Sequence, residues 1–447
     1  MQRWVWVGVA CALACGDDDA GTDAGADAMV DAAFDAATDA ALDATEDAGE
    51  RDARVVDPGL LEIDDLSYLG AFRFSSAMFG GSETSYAVGT LGCNADRRSL
   101  FIAGHAQHSM IAEFAIPDAL GTGDVVADLP IVESPLQDFY PVLGESPNGN
   151  PDEIDRITGL YWSDGQLIIN ANRWYDAAGT ARDTTLVVRD ALGGTVDGYF
   201  ELEGAARSAG YMSPIPAEWQ DALGGDTITG WASNYSIVSR YSVGPTLYVF
   251  DPTDVTGSAA GAQGAVSATA FMDFDYGGGE EGYLAPDALV YTCSQEDEGS
   301  PTICEDGASA SPLWNVLSRA MYGFVVPGTR TFALFGSSAG VDTGIGYKIT
   351  QTDDNLCGGP CARGADDQYN YYWFFDLDEI LAASALSDPR PYAYGRWSVP
   401  FDRDGAHSII GGAYAPDENV LYLSLEGAAK VGDFDWPPLI VAFQPTP

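Results

Sequence analysis

Lysine is almost missing from this chain of 447 residues, occurring only at Lys348 and Lys430; the rest of its 20 basic residues are arginine, and histidine appears three times. Against them stand 67 acidic residues, a formal net charge of −47. Counterion release cannot drive so acidic a surface onto nucleic acid, and an anionic lipid surface would repel it. The one apolar run near the amino end, WVWVGVACALA, is too short to cross a bilayer as a helix. Neither a phosphate-binding P-loop nor a dinucleotide fingerprint occurs, so nucleotide-dependent chemistry has no support. Helical periodicity is scarce too, its best stretch being DEILAASAL from Asp378 to Leu386.

Glycine, proline and aromatic residues are plentiful, as many short strands joined by turns require. The chain is organised by a recurring phrase, an apolar strand closed by an acidic turn: TLYVFDPTDV from Thr246, FAIPDAL from Phe114, VVRDAL from Val187, FFDLDEI from Phe374 and LIVAFQPTP from Leu439. Before most copies stand two further strands separated by turn chemistry. The turn pairs are Asn94 with Asp96, Asp164 with Gly165, Pro327 with Gly328, and Pro416 with Asp417. Each unit therefore reads as a β-meander.

A meander buries its face by stacking on a copy of itself, and closing the copies into a ring leaves no long open edge. The expected fold is all-β, a β-propeller over residues 58–447 with five blades, six being the alternative. The gap between the copies at Phe250 and Phe375 is about twice the others, which calls for insertions or a hidden blade. A fourth strand follows several units, as in GYFEL from Gly198 and TAFMDFDY from Thr269, but the last unit stops at its third. Residues Ser67 to Ser75, SYLGAFRFS, have the character needed to complete it, so the ring should be latched by its first strand.

At the amino end, Arg3, the apolar stretch and Ala14–Cys15 look like an export signal over residues 1–15. This segment resembles the signal of bacterial lipoproteins, and the resemblance implies lipidation of Cys15, with Cys11 and an ordinary cleaved signal as alternatives. From Asp19 to Asp47 an aspartate recurs at every fourth position, each followed by alanine. In a helix these carboxylates would repel at i,i+4, so residues 16–57 read as an extended, disordered Asp/Ala-rich tether. Up to residue 57 the chain holds 14 acidic and 3 basic residues, leaving 53 and 17, about −36, for the folded part. The whole resembles uncharacterised propeller lipoproteins of cell envelopes, which implies an exported protein held at an outer membrane or cell surface through its lipid alone.

Five cysteines remain beyond the signal. In an oxidising compartment, Cys293 with Cys304 and Cys357 with Cys361 are expected to form disulfides that staple polar loops, leaving Cys93 as a buried free thiol.

In a propeller, the loops that lead into the innermost strands and those between second and third strands open on one face. That rule brings His105, His108 and His407 together near the latch, where they could ligate a divalent metal; no other cofactor is indicated. It also gathers Glu83, Asp155, Arg156, Asn172, Arg173, Trp174, Tyr175, Asn234, Tyr235 and Glu280 at the mouth. Aromatic faces beside carboxylates, amides and guanidinium forks suit a glycan or peptide. The expected function is recognition of a glycan, a peptide or an envelope protein partner. A secreted polysaccharide hydrolase or lyase using acids at the mouth is the alternative, and the sequence leaves open whether the protein is an enzyme. A Gly-x-Ser-x-Gly match, Gly336 to Gly340 with Asp402 and His407 downstream, lacks the helix that a nucleophile elbow requires.

Overall fold

Turn residues cut the apolar runs into short strands, and the computed structural model describes them over residues 59–447, apart from 148, 191–194, 234–240, 279, 286–291, 295–302, 306–309 and 433–434. Asp164 and Gly165, for example, take φ of 51° and 78°, the pair of left-handed residues that a two-residue type I′ hairpin needs. Leu167 to Ala171 then run buried on both faces, as a strand between two packed blades must.

The strands form a five-bladed β-propeller. Blade 1 comprises Leu91–Asn94, Ser99–Ala103, Met110–Ala115 and Gln137–Pro141; blade 2 comprises Arg156–Ser163, Gln166–Asn172, Asp183–Val188 and Val196–Leu202. Blade 3 is built from Met212–Pro214, Thr227–Thr229, Leu247–Phe250 and Ala268–Met272, and blade 4 from Arg319–Val325, Thr331–Ala339, Gln368–Asp376 and Ala393–Arg396. Blade 5 takes Ile409–Ala415, Val420–Leu425 and Leu439–Pro445 from the end of the chain and Leu66–Phe74 from its beginning. The inner strand of each blade touches that of the next, and blade 5 touches blade 1.

The latch is an antiparallel ladder running from Leu66 opposite Pro445 to Arg73 opposite Leu439. Phe72 and Phe74 from this strand are buried, with their rings against Tyr422 and Phe114, so the first strand ties blade 5 to blade 1 through its side chains as well. The long gap between Phe250 and Phe375 holds no sixth blade among the described residues. It holds two small hairpins, Thr292–Ser294 with Ile303–Glu305 and Ile345–Tyr347 with Pro360–Ala362.

Three blades share a device that the repeat pattern does not announce. The segment between their third and outer strands crosses to the outer edge of the preceding blade before returning. From blade 1, Ile131 and Val132 pair in parallel with Arg73 and Phe74 of blade 5; from blade 3, Gly264–Val266 pair in parallel with Phe200–Leu202 of blade 2. From blade 4, the Leu386 carbonyl accepts the Asp273 N–H just past the outer strand of blade 3. An edge strand otherwise presents unpaired backbone groups, and these crossings occupy them. The blade 4 crossing contains the helix expected at Asp378 to Leu386, which instead spans Leu377–Ala382: Asp376 caps its start, and Asp388 captures the Ser384 and Ala385 N–H groups in a turn beyond its end.

At every blade boundary a buried side chain bonds across to the next blade. Thr90 donates to the Ile157 carbonyl (3.2 Å), Asn170 to Gly210 (3.1 Å), Ser213 to Gly323 (3.0 Å), Asn370 to His407 (3.1 Å) and Ser424 to Gly89 (2.6 Å). Each bond contributes roughly 1 kcal/mol net, and its removal costs more because a buried carbonyl loses its partner. Around these polar ties pack the large aromatics: Phe324 stacks on Tyr414 between blades 4 and 5 at 4.7 Å, and Trp314 lies 5.0 Å from Trp373. Glycine lets the inner strands close in, since a Cβ on Gly159 would stand 1.8 Å from the Gly210 carbonyl oxygen. The axis narrows accordingly to a cavity of about 100 Å³ reached by all five inner strands.

The cysteines divide as follows. Cys357 and Cys361 form a disulfide, and Cys93 is a free thiol, half-buried beside the axial cavity. Burial first, then Glu418 and Asp417, push its pKa up to about 12, so it is an inert thiol at neutral pH. The hairpin ladder sets Cys293 opposite Cys304; their side chains lie outside the described part of the structure. Cys15 also lies outside the described residues. None of the described helices is long and apolar enough to cross a membrane.

Candidate functional site

The chain enters each inner strand from one face of the ring, and the loops joining second to third strands return to that face. A β-bulge marks the start of the inner strand in blades 2, 4 and 5, between Ile157 and Gly159, Ala320 and Tyr322, and Ile409 and Gly411. The residue just before this bulged unit is Arg156 in blade 2 and Arg319 in blade 4. Two arginines 163 positions apart in the chain thus occupy one structural position.

Blades 1 and 2 build a continuous arc of the mouth. Ser109 of blade 1 donates to the Asp155 carbonyl at 3.1 Å, and Asp155 accepts the Trp174 N–H at 2.6 Å. Trp174 is thereby held out from the rim with 43% of its surface exposed, while the Arg156 guanidinium lies over its ring at 5.6 Å. Neighbouring Tyr175 is 60% exposed. The loop carrying both is set by Asp176. Burial pushes that carboxyl up, but the N–H groups of Ala181, Thr180 and Gly179 and the Tyr241 hydroxyl outweigh it and hold it below the usual range.

The histidines are placed on the same face. His105 and His108 stack at 4.5 Å, and Tyr86 meets the His105 ring edge-on. The His105 Nδ1 accepts the Gln107 N–H, and His108 Nδ1 bonds the Ser82 hydroxyl. Burial, then the neighbouring His108, lower the His105 pKa against the pull of Glu83, leaving a neutral imidazole. His407 Nδ1 pairs with the Glu426 carbonyl at 2.7 Å and its ring packs near Trp436. Trp436 in turn joins blade 5 to the arc, since Ser85 accepts its N–H and its carbonyl accepts that of Tyr86. The three imidazoles share this side of the ring without converging: no three potential ligand residues form a metal-holding group among the described residues.

The other candidates separate by environment. Glu83 is half-buried, and its carbonyl accepts the His105 N–H. Asn172 is fully buried and its amide oxygen accepts the Arg173 N–H, a turn-forming role. Arg173 pairs outward with Glu153 at 2.7 Å. Asn234 and Tyr235 lie outside the described residues, and Glu280 opens the short helix Glu280–Gly282 between blades 3 and 4, its side chain outside them as well. The hydroxyl of Ser338, the central residue of the Gly-x-Ser-x-Gly match, is buried near the end of a strand against Ser318, which removes it as a nucleophile.

Sequence reasoning missed Arg319. It opens the inner strand of blade 4 and keeps an exposed surface. Burial lowers its pKa, opposed by the field of Glu426. Aligning RITGLYW with RAMYGFV would have found it, because both inner strands begin with arginine.

A separate cavity of about 590 Å³ opens on the flank of blade 3. There Arg207 bridges Asp273 (3.0 Å) and Asp275 (2.9 Å), and Tyr248 donates to Asp273 at 2.6 Å. Burial raises the Asp273 pKa, against the opposing pull of Arg207 and Tyr248, and its second carboxylate oxygen is buried without a partner.

No family model matches the chain, and no curated protein matches it. Among solved structures it is similar to a crystal structure of a protein of unknown function from Dyadobacter fermentans DSM 18053. The two are 9% identical with a TM-score of 0.32, over 86% of this chain and 100% of the other.

Proposed function

We propose that this chain is an exported, lipid-anchored envelope protein whose propeller is a recognition module, binding a glycan at the axial mouth. The observation that carries the reading is Trp174: a large aromatic face presented to solvent, fixed from behind by Asp155 and flanked by Tyr175 and an arginine. Burying such a face is worth several kcal/mol only when a ligand covers it, and a pyranose ring offers the flat C–H surface that fits. A rigid ring pre-organises the contact, so little binding energy is lost in ordering loops. The lipid anchor is supported by Ala14–Cys15 behind the apolar segment, and the acidic stretch that follows supports a spacer role.

A glycan screen with the purified protein tests the reading. Trp174→Ala should weaken binding at least about tenfold while leaving the melting temperature within about 1 °C, as expected for an exposed side chain. Release of new reducing ends during the screen would replace recognition with hydrolysis. For the anchor, mass spectrometry of the mature protein should find lipid on Cys15, lost in Cys15→Ser.

A further inference from the structure

We propose that the ligand taken at this mouth is acidic, a glycan carrying uronic acid carboxylates, and that Arg156 and Arg319 are the residues that receive them. The inference rests on the recognition reading above and names its ligand class.

The argument begins with supply. The folded part of the chain holds 53 acidic residues to 17 basic ones, so a carboxylate is available to almost any arginine. Seven arginines take one: Arg97 pairs with Glu113, Arg98 with Glu418, Arg173 with Glu153, Arg189 with Asp197, Arg207 with Asp273, Arg330 with Asp376 and Arg396 with Asp342. Arg156 and Arg319 take none among the described residues. Arg156 is half-buried and Arg319 keeps an exposed surface; surrounding protein lowers the pKa of each, with only Asp155 and Glu426 acting on them from a distance. The Arg156 Nε is buried with no acceptor at all. The Trp174 ring under the Arg156 guanidinium does not neutralise its charge, and partly desolvating a guanidinium without a carboxylate is unfavourable.

Position sharpens the point. The two arginines stand at the same place before the same bulge in blades 2 and 4, around one axis, at the end of the ring where Trp174 is displayed. Their forks match a carboxylate bidentately, which an ammonium would not. Near-absence of lysine from the domain is consistent with that geometry. The pairing of a stacking ring with a carboxylate receptor selects a sugar acid over a neutral sugar. The domain's overall negative field also disfavours loose, nonspecific attraction of polyanions, so binding must come from these short-range contacts.

The test uses the purified protein with oligogalacturonate, its fully methyl-esterified form and a neutral galactan oligomer, followed by calorimetry and thermal melting. The expected result is binding of the free acid at least about tenfold tighter than the ester. Arg156→Gln and Arg319→Gln should each erase most of that preference, and exposed Arg182→Gln should not. In the absence of ligand, the first two variants should melt no lower than the parent, because neither guanidinium has a carboxylate partner to lose; a purely structural arginine would instead lower the melting point when lost. Equal binding of acid, ester and galactan, all abolished by Trp174→Ala, would overturn the acidic-ligand inference and leave glycan recognition standing. No binding of any of the three would overturn both. A marked fall in melting temperature for Arg319→Gln with ligand preference intact would return that residue to a structural role.

Discussion

Ser424, on the second strand of the last blade, donates a 2.6 Å hydrogen bond to the carbonyl of Gly89, which leads into the inner strand of the first. The two residues are separated by nearly the whole folded chain, and both are buried. Their bond is the polar counterpart of the strand latch. Ser424→Ala leaves the Gly89 carbonyl without its side-chain partner and should destabilise the domain by about 1–3 kcal/mol in a urea melt, without altering ligand binding. An unchanged midpoint would mean that the latch strand alone closes the ring.

Gly159 offers a sharper test of how closely the inner strands approach. A methyl group there would stand 1.8 Å from the Gly210 oxygen, inside any allowed contact, and backbone on both sides cannot swing away as a side chain could. Gly159→Ala should therefore cost at least about 1–3 kcal/mol, and the loss should register in the stability of the whole domain, because blades 2 and 3 must part. Gly165→Ala, with open space around its Cβ, serves as the comparison: its left-handed backbone is strained by the change, but nothing collides.

The Arg207–Asp273–Tyr248 cluster predicts a pH-dependent variant. Arg207→Met removes the cation from a carboxyl that is already buried, and should destabilise by about 3–5 kcal/mol at neutral pH. The folded-state pKa of Asp273 is raised, so the folded protein binds this proton more tightly than the unfolded chain does. Its contribution grows as pH falls through the raised folded value towards about 4. The variant should consequently regain part of its lost stability, relative to the parent, between neutral and mildly acidic pH. Melting curves over that range check it, and a constant difference would refute the assignment.

The histidines act in the opposite sense. His105 and His407 have folded-state pKa values lowered chiefly by burial, so the unfolded chain takes up protons first as pH drops. Stability from this source is complete above about pH 6.5 and is lost as pH falls from there through the depressed folded values. His407→Gln keeps a donor for the Glu426 carbonyl without titrating, and should flatten the fall in melting temperature between pH 7.5 and 5.5.

Much of this architecture was legible because a propeller repeats itself. The apolar strand with its acidic turn recurs wherever a third strand must lie between two others, and the hairpin residues Asp164–Gly165 and Pro327–Gly328 mark the reversals by local conformational preference alone. Even the latch could be read, since a final unit lacking its outer strand needs one from elsewhere. The crossings between blades could not. Ile131–Val132 is an ordinary apolar pair in a loop, and only the open edge of Leu66–Phe74 gives it a partner.

For the mouth the division is similar. Trp174, Arg156 and the histidines were placed on one face by the order of strands, a consequence of chain direction. Whether each was free to act depended on neighbours from other blades: Asn172 is consumed by its own turn, Arg173 by Glu153, and His407 by the Glu426 carbonyl. The Tyr248–Asp273–Arg207 cluster escaped notice because its members come from three separate segments.

The amino-acid order by itself determined the strand repeat, the turns between strands and the need for the chain's two ends to meet, since these follow from local backbone preference and from the alternation of buried and solvated positions. Only the closed ring decided that Arg156 and Arg319 are equivalent and, among the described residues, have no carboxylate partner. That equivalence depends on where a bulge falls in each inner strand and on which carboxylates the neighbouring blades withhold, quantities that exist only once all five sheets are packed around the axis.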